Sequence, residues 1–321
     1  MRVLVTGATG FAGRWLTLEL EGAGHEVVAA PGHRELDLAE APDLRPLITH
    51  VQPDAVAHLA GISFAPDAAK DPDLAVRVNA GGSRALFSAL DAVDSPAAVL
   101  VTSSSEVYGR FDPADLPITE SQPARATAPY GKSKIGLETA ALEASERGRR
   151  VVITRAFNHI GPGQREVFVA SALARRVLDL RAGRTHTIRV GNLDVRRDFS
   201  DVRDTVRAYR LLLEALVEGQ VPRDRPIYNI ATGRSVAIRE LVEILCRLAG
   251  VPMAVEVDPS LVRADDALDI RGDSSALRQL TRWQPRVSLE SSLADILGSA
   301  KKEGADHAVE PSETPATIPS P

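Results

Sequence analysis

Val3, Leu4 and Val5 follow one another with no polar residue between them, and the run ends in a cluster of glycines. A strand with one face in water would alternate, so an unbroken apolar run suits a strand covered on both faces of a parallel sheet. Comparable runs recur at 26–30, 55–59, 98–102, 151–154 and 227–230, with a short extended piece at 187–190. Between them the apolar residues take helical spacing. Phe11, Trp15, Leu16 and Leu20 form one such stripe, and others run through 79–93, 130–147, 167–180, 202–218 and 238–248. Strands alternating with helices imply right-handed crossovers, so the fold class read here is α/β with a doubly wound parallel sheet. After Arg155 the alternation loosens, and Gly161, Pro162 and Gly163 break it. Residues 301–321, rich in Pro, Glu, Ser and Thr, predict a disordered tail.

The glycines after the first run are Gly7, Gly10 and Gly13, with Phe11 opening the helical stripe among them. Strand, glycine turn and helix in that order present bare backbone N–H groups at a helix N-terminus, where a diphosphate can bind. Gly7 suits the tight turn, Gly10 lets the backbone approach the ligand, and Gly13 lets helix and strand pack closely.

Composition narrows the field. The chain has 321 residues, 44% of them hydrophobic, enough for one large α/β unit or two modest domains. Lys and Arg number 38 against 43 Asp and Glu, a net −5 that argues against nucleic acid as a partner. The single cysteine, Cys246, lies in an apolar helical pattern and reads as a buried, inert thiol. No leader precedes the first strand, and no apolar run approaches the roughly 20 residues that span a bilayer. A cytoplasmic protein without a membrane partner is expected.

Tyr130 and Lys134 in Y-G-K-S-K lie four apart in a helical stretch and so share one face. An ammonium near a phenol favours the phenolate, so this spacing predicts a Tyr130 acidified by Lys134 and able to trade protons near neutral pH. Ser104, in T-S-S-S-E-V-Y-G at 102–109, would arrive at the carboxyl end of a strand, where such sheets bind ligands. Its hydroxyl can hydrogen-bond the same reacting oxygen. Asn79, at the start of its helical stretch, reads from the residues alone as an N-cap.

T-G-A-T-G-F-A-G at 6–13, H-L-A-G at 58–61, V-N-A-G-G-S at 78–83, S-S-S-E-V-Y-G and Y-G-K-S-K occur in an order and spacing that resembles the extended short-chain dehydrogenase/reductase family of nucleotide-sugar epimerases, dehydratases and reductases. The resemblance implies a Rossmann domain over 1–158, to which 187–230 partly returns, and a smaller α/β substrate domain over 159–300. It implies Ser104, Tyr130 and Lys134 as catalytic residues, Lys134 also holding the nicotinamide ribose. It places Ala60 and Gly61 against the cofactor, with Asn79 in a structural role beside them. F-N-H-I-G-P-G-Q at 157–164 is similar to members that reduce GDP-4-keto-6-deoxy-D-mannose to GDP-D-rhamnose; G-N-L-D-V-R-R-D-F-S-D-V-R-D at 191–204 is similar to those and to GDP-mannose 4,6-dehydratases. On this match Asn158, Asn192 and Arg197 contact the nucleotide sugar, Arg175 faces it from a helix, Arg263 meets phosphate and Asp266 ribose. Guanidinium forks suit phosphate oxygens, and a carboxylate accepts from ribose hydroxyls. A homodimer is implied as well.

Two features depart from the pattern. The second strand ends Ala29-Ala30-Pro31-Gly32-His33-Arg34, without the acid that holds an NAD ribose. His33 or Arg34 could instead attract a 2′-phosphate, which favours NADP(H) with NAD(H) tolerated. Asp37, followed by Leu38, resembles the family's adenine contact. Glu106, two residues after Ser104, matches the base that removes a C5 proton in sugar 4,6-dehydratases. The expected activity is therefore reduction of a GDP-linked 4-keto-6-deoxyhexose. Its rivals are a 4,6-dehydratase or 4-epimerase, and a non-catalytic NADP(H)-binding regulator.

Overall fold

The computed structural model describes residues 1–262 and 267–306. The strands are β1 (Arg2–Thr6), β2 (Glu26–Ala29), β3 (Ala55–His58), β4 (Ala98–Ser104), β5 (Val151–Ala156), β6 (Asn158–Ile160), β7 (Ile188–Val190), β8 (Arg196–Asp201), β9 (Ile227–Ile230), β10 (Ser235–Ala237), β11 (Val255–Val257) and β12 (Asp269–Ile270). The helices are α1 (Phe11–Gly22), α2 (Arg45–Val51), α3 (Ala65–Lys70), α4 (Pro72–Val76), α5 (Gly82–Ala92), α6 (Pro129–Glu146), α7 (Val169–Arg181), α8 (Val202–Val217), α9 (Ile238–Ala249), α10 (Ser275–Thr281) and α11 (Leu289–Asp306).

Six parallel strands in the order β2-β1-β3-β4-β5-β9 form the central sheet. Every residue of β3 and β5 is buried, which is why their sequences do not alternate. Leu16 and Leu20 of α1, Val206 and Leu212 of α8, and Trp283 cover one face. Ile48 of α2, Leu86 and Leu90 of α5, and Leu137 of α6 cover the other. A second core lies among α7, α9, α11 and β7, built on Leu173, Val177, Leu241, Leu245, Leu293 and Ile296. Cys246 is buried in it, as its helical pattern predicts.

The smaller sheet is arranged around β8, which pairs with β6, β10 and β12, while β11 pairs with β7. Its polar residues are buried because they tie segments together. Asp198 accepts from Thr232 N and Oγ1, Gly233 N and Gly272 N. Asp201 caps α8 through Arg203 N at 2.8 Å and accepts from Ser292 Oγ at 2.6 Å. Of the segment 187–230, only α8 and β9 rejoin the large sheet; β7 and β8 belong to the smaller layer. α11 runs to Asp306, six residues into the stretch expected as a tail, and 307–321 lie outside the described residues. Among the described residues no helix is long and apolar enough to cross a membrane.

Candidate functional site

A cleft of about 1810 Å³ runs along the carboxyl edge of the large sheet and into the smaller layer. Parallel sheets bind ligands at that edge because the helices that follow their strands point their N-termini there.

At one end lies the glycine turn. Gly7 has φ +71°, and a Cβ on it would sit 2.7 Å from Ala60 N. On Gly13 a Cβ would lie 2.0 Å from the Gly7 carbonyl oxygen, and on Gly10 it would lie 3.1 Å from that oxygen. Gly7 makes the tight turn and Gly13 the close packing of α1 on it that their spacing predicts, with a further restriction: Gly7 also packs against the chain leaving β3. Gly10 is the N-cap of α1, which has no side-chain cap and no acid in its first turn. Its positive end is thus left for an anion, and this cradle fits a dinucleotide diphosphate.

Phe11, His33, Asp37, Leu38, Ala60 and Gly61 line the same end. The Asp37 carboxylate also accepts from Ala39 N at 2.9 Å. Arg34 is exposed and stands outside the lining, so of the two basic residues expected near a 2′-phosphate only His33 faces the cleft. Asn79 is no N-cap. It is fully buried in a π-helical turn, Arg77–Gly81, that continues into α5. Its side chain accepts from Ile62 N at 2.9 Å and donates to Ile62 O at 3.1 Å and Ser133 Oγ at 2.8 Å. It therefore pins the segment after Gly61 to α6, the structural role that the resemblance implies.

The waist of the cleft carries Ser104, Glu106, Tyr130 and Lys134. β4 runs two residues beyond its predicted end, so Ser104 is its last residue, and α6 lays Tyr130 and Lys134 over that end. Tyr130 lies beside Ser104, whose Oγ accepts from Glu106 N at 3.2 Å. Gly131 fits because a Cβ there would lie 2.4 Å from Ala126 Cβ and 2.7 Å from Glu106 O. The sequence reading passed over this glycine, although a glycine inside a helical pattern signals a close approach.

The expected acidification of Tyr130 does not hold. Burial pushes its phenol up to about 12; the Ser104 hydroxyl lowers it, and the charge of Glu106 raises it. Lys134 instead donates from Nζ to Thr102 O at 2.9 Å, and burial pushes its ammonium down to about 8. Spacing put the two groups on one face, but desolvation governs the phenol. His58, at the end of β3, is pushed down to about 3 by burial and by Lys134; its Nδ1 lies 2.8 Å from Thr6 Oγ1.

Beyond the waist the cleft is lined by Asn158, Asn192 and Arg197, as expected, and by Arg176 instead of Arg175. Arg175 approaches Glu166 at 3.9 Å and Asp179 at 3.5 Å. Arg176 donates to Arg189 O at 2.7 Å; burial and the Arg189 charge both push its guanidinium down, so an anion placed there would be welcomed. Arg197 donates to Ala267 O at 2.8 Å. Arg263 and Asp266 lie outside the described residues. His159, also missed, stacks on Phe11 with ring centroids 5.9 Å apart, joining the glycine turn to the second half of the cleft.

A model of the NAD dependent epimerase/dehydratase family matches residues 3–231. The chain is 36% identical over 298 residues to GDP-6-deoxy-D-mannose reductase of Pseudomonas aeruginosa, covering 92% of this chain and 96% of that protein. It is 29% identical to GDP-6-deoxy-D-talose 4-dehydrogenase of Aggregatibacter actinomycetemcomitans, covering 86% and 90%. Its fold is similar to that of RMD from Pseudomonas aeruginosa complexed with NADPH, with a TM-score of 0.85 at 34% identity, over 94% of this chain and 99% of that one. A match of this extent, on a chain whose cleft holds the motif residues together, makes it a member of the NAD dependent epimerase/dehydratase family.

Proposed function

We propose that the protein reduces the C4 carbonyl of a GDP-linked 4-keto-6-deoxyhexose, GDP-4-keto-6-deoxy-D-mannose to GDP-6-deoxy-D-mannose (GDP-D-rhamnose), with NADPH and, less well, NADH. The observation that carries this reading is the convergence of Ser104, Tyr130 and Lys134 at the waist of one cleft, with Lys134 Nζ fixed on Thr102 O at 2.9 Å. A phenol held at about 12 keeps its proton at neutral pH, as the acid in a carbonyl reduction must. The reductase from Pseudomonas aeruginosa supports the substrate, and the NADPH-bound neighbour supports the cofactor.

Gly7, Gly10 and Gly13 would hold the cofactor diphosphate, with His33 on the side of a 2′-phosphate and Asp37 and Leu38 beside the adenine. When bound, the nicotinamide supplies the hydride. Tyr130 donates its proton to the developing C4 alkoxide, and Ser104 donates a hydrogen bond to the same oxygen. Lys134, held by Thr102 O, places a positive charge beneath the site that offsets the anion formed when Tyr130 gives up its proton. Asn158, Asn192, Arg176 and Arg197 would bind the nucleotide diphosphate. The active unit in this reading is a homodimer, which light scattering of the purified protein tests, and its place is the cytoplasm.

One observation favours a second reading. Glu106 lines the cleft and raises the Tyr130 phenol, a position from which a carboxylate could remove a C5 proton as in a 4,6-dehydratase. Stoichiometry separates the two. With GDP-4-keto-6-deoxy-D-mannose and NADPH, the reductase consumes one reduced cofactor per sugar and nicotinamide absorbance falls. Unchanged absorbance with intact protein would remove the reductase.

A further inference from the structure

Behind the catalytic residues, α6 is fastened to the sheet by a buried ion pair that does not line the cleft. Glu138 lies one turn beyond Lys134 and two beyond Tyr130, on the same helix face. Its carboxylate accepts from Arg155 Nε at 2.9 Å and Nη2 at 2.7 Å, and from Ser103 Oγ at 2.6 Å. Ser103 and Arg155 are register partners on β4 and β5, so one carboxylate grips both strands at the edge where Ser104 ends. Glu138 and Arg155 are 3% and 4% exposed. Arg155 also lies 4.7 Å over the ring of Tyr108, whose hydroxyl donates to Asn229 Oδ1 at 2.6 Å. Tyr108 closes the 3-10 turn Ser105–Tyr108 that carries Glu106.

We propose that Glu138 and Arg155 are positioning residues: their pair sets the register of α6 on β4 and β5, and so holds Tyr130 on Ser104, Lys134 on the Thr102 carbonyl and Glu106 beside them. Three residues of one helix face contact the last three residues of β4. Tyr130 meets Ser104, Lys134 meets Thr102 and Glu138 meets Ser103. Glu138 alone of the three is also held by a bidentate ion pair, to Arg155 of β5, a geometry that tolerates little sliding. Stability alone does not call for it, since apolar residues of similar volume in place of a buried ion pair are often neutral or stabilising.

This inference rests on Tyr130 as the acid, and Tyr130→Phe serves as the control for that reading. Glu138→Gln leaves a buried guanidinium without its charge partner, so that single variant is prone to misfold. The decisive protein is therefore the double variant Glu138→Gln/Arg155→Met, which removes both charges. Thermal melting, KM for GDP-4-keto-6-deoxy-D-mannose and kcat are measured with NADPH. The expected result is a melting temperature near that of the parent, KM within about twofold, and kcat lowered by roughly tenfold to a hundredfold, the cost of an acid displaced by a fraction of an ångström to 1 Å. A folded double variant with kcat within threefold of the parent overturns the inference, and so does a kcat that tracks melting temperature across Glu138→Gln, Arg155→Met and the double variant. If Tyr130→Phe keeps full activity, the reading of the acid fails instead.

Discussion

Gly131→Ala sets two opposed effects against each other in the first turn of α6. Glycine inside a helix costs about 1 kcal/mol relative to alanine, so at an open position the substitution would stabilise the protein. Here the new methyl would stand 2.4 Å from Ala126 Cβ and 2.7 Å from Glu106 O. It needs about 1 Å more room before reaching ordinary contact at 3.4 Å. Ala126 cannot yield cheaply, because its N–H donates to Val107 O at 3.0 Å and the neighbouring Arg125 N–H donates to the same oxygen at 2.8 Å. Overpacking of this kind costs about 1–3 kcal/mol, so the net loss of stability is at most about 2 kcal/mol. The functional loss is larger, because the displaced parts are Tyr130 on one side and the turn bearing Glu106 on the other. A shift near 1 Å between reacting groups costs on the order of a hundredfold in rate. Steady-state kinetics and calorimetry on the same preparation measure both quantities. The expected result is kcat down by about tenfold to a hundredfold with a melting temperature lowered by no more than a few degrees. A variant that melts higher than the parent with unaltered kcat would refute the packing argument.

Arg176→Ala removes a charged contact proposed for the nucleotide diphosphate, worth about 1.5–3 kcal/mol, so KM for the nucleotide sugar should rise roughly tenfold to a hundredfold. Arg175→Ala should leave it within about twofold; titration calorimetry with GDP on both variants checks the pair, and equal losses would put the sequence reading of Arg175 back in place. Tyr130→Phe should lower kcat by roughly a hundredfold to ten-thousandfold while NADPH still binds, as followed by quenching of tryptophan fluorescence. The rate should decline as pH rises through about 8, where Lys134 loses its proton; a profile flat from pH 7 to 10 would contradict the charge assigned to it. Stability should fall as pH drops from about 6.5 towards 3. Buried His58 stays neutral down to about 3 while the unfolded chain takes up a proton nearer 6.5, so acid favours the unfolded state across that window. His58→Gln should flatten that part of the melting-temperature profile.

Much of the fold was legible because burial leaves a mark on composition. The apolar runs of β1, β3, β4 and β5, the glycine turn, and Tyr130 with Lys134 on α6 all lie where the sequence puts them. The strand β8 was not legible: R-R-D-F-S-D shows no apolar alternation, because Asp198 and Asp201 are buried by their hydrogen bonds to the 232–233 and 272 segments, α8 and α11. Arg175 and Arg176 differ by one residue, which turns a side chain about 100° around a helix, and a start placed only near 167 does not fix that phase. Asn79 misled for a similar reason. The π-helical turn carries the helix back past it, so its side chain was free to tie Ile62 to Ser133. The Tyr130 phenol could not be read from spacing, because its proton affinity is set by desolvation, a property of everything packed around it.

The direct test of the central claim follows the hydride. GDP-4-keto-6-deoxy-D-mannose is incubated with NADPH carrying deuterium at the transferred position of the nicotinamide, and the nucleotide sugar is examined by NMR. The account predicts one deuterium per product molecule, bound to C4, with a proton on the C4 oxygen and one oxidised cofactor formed for each. Recovery of unlabelled sugar with the cofactor still reduced, or label at C5 or C6, would contradict it.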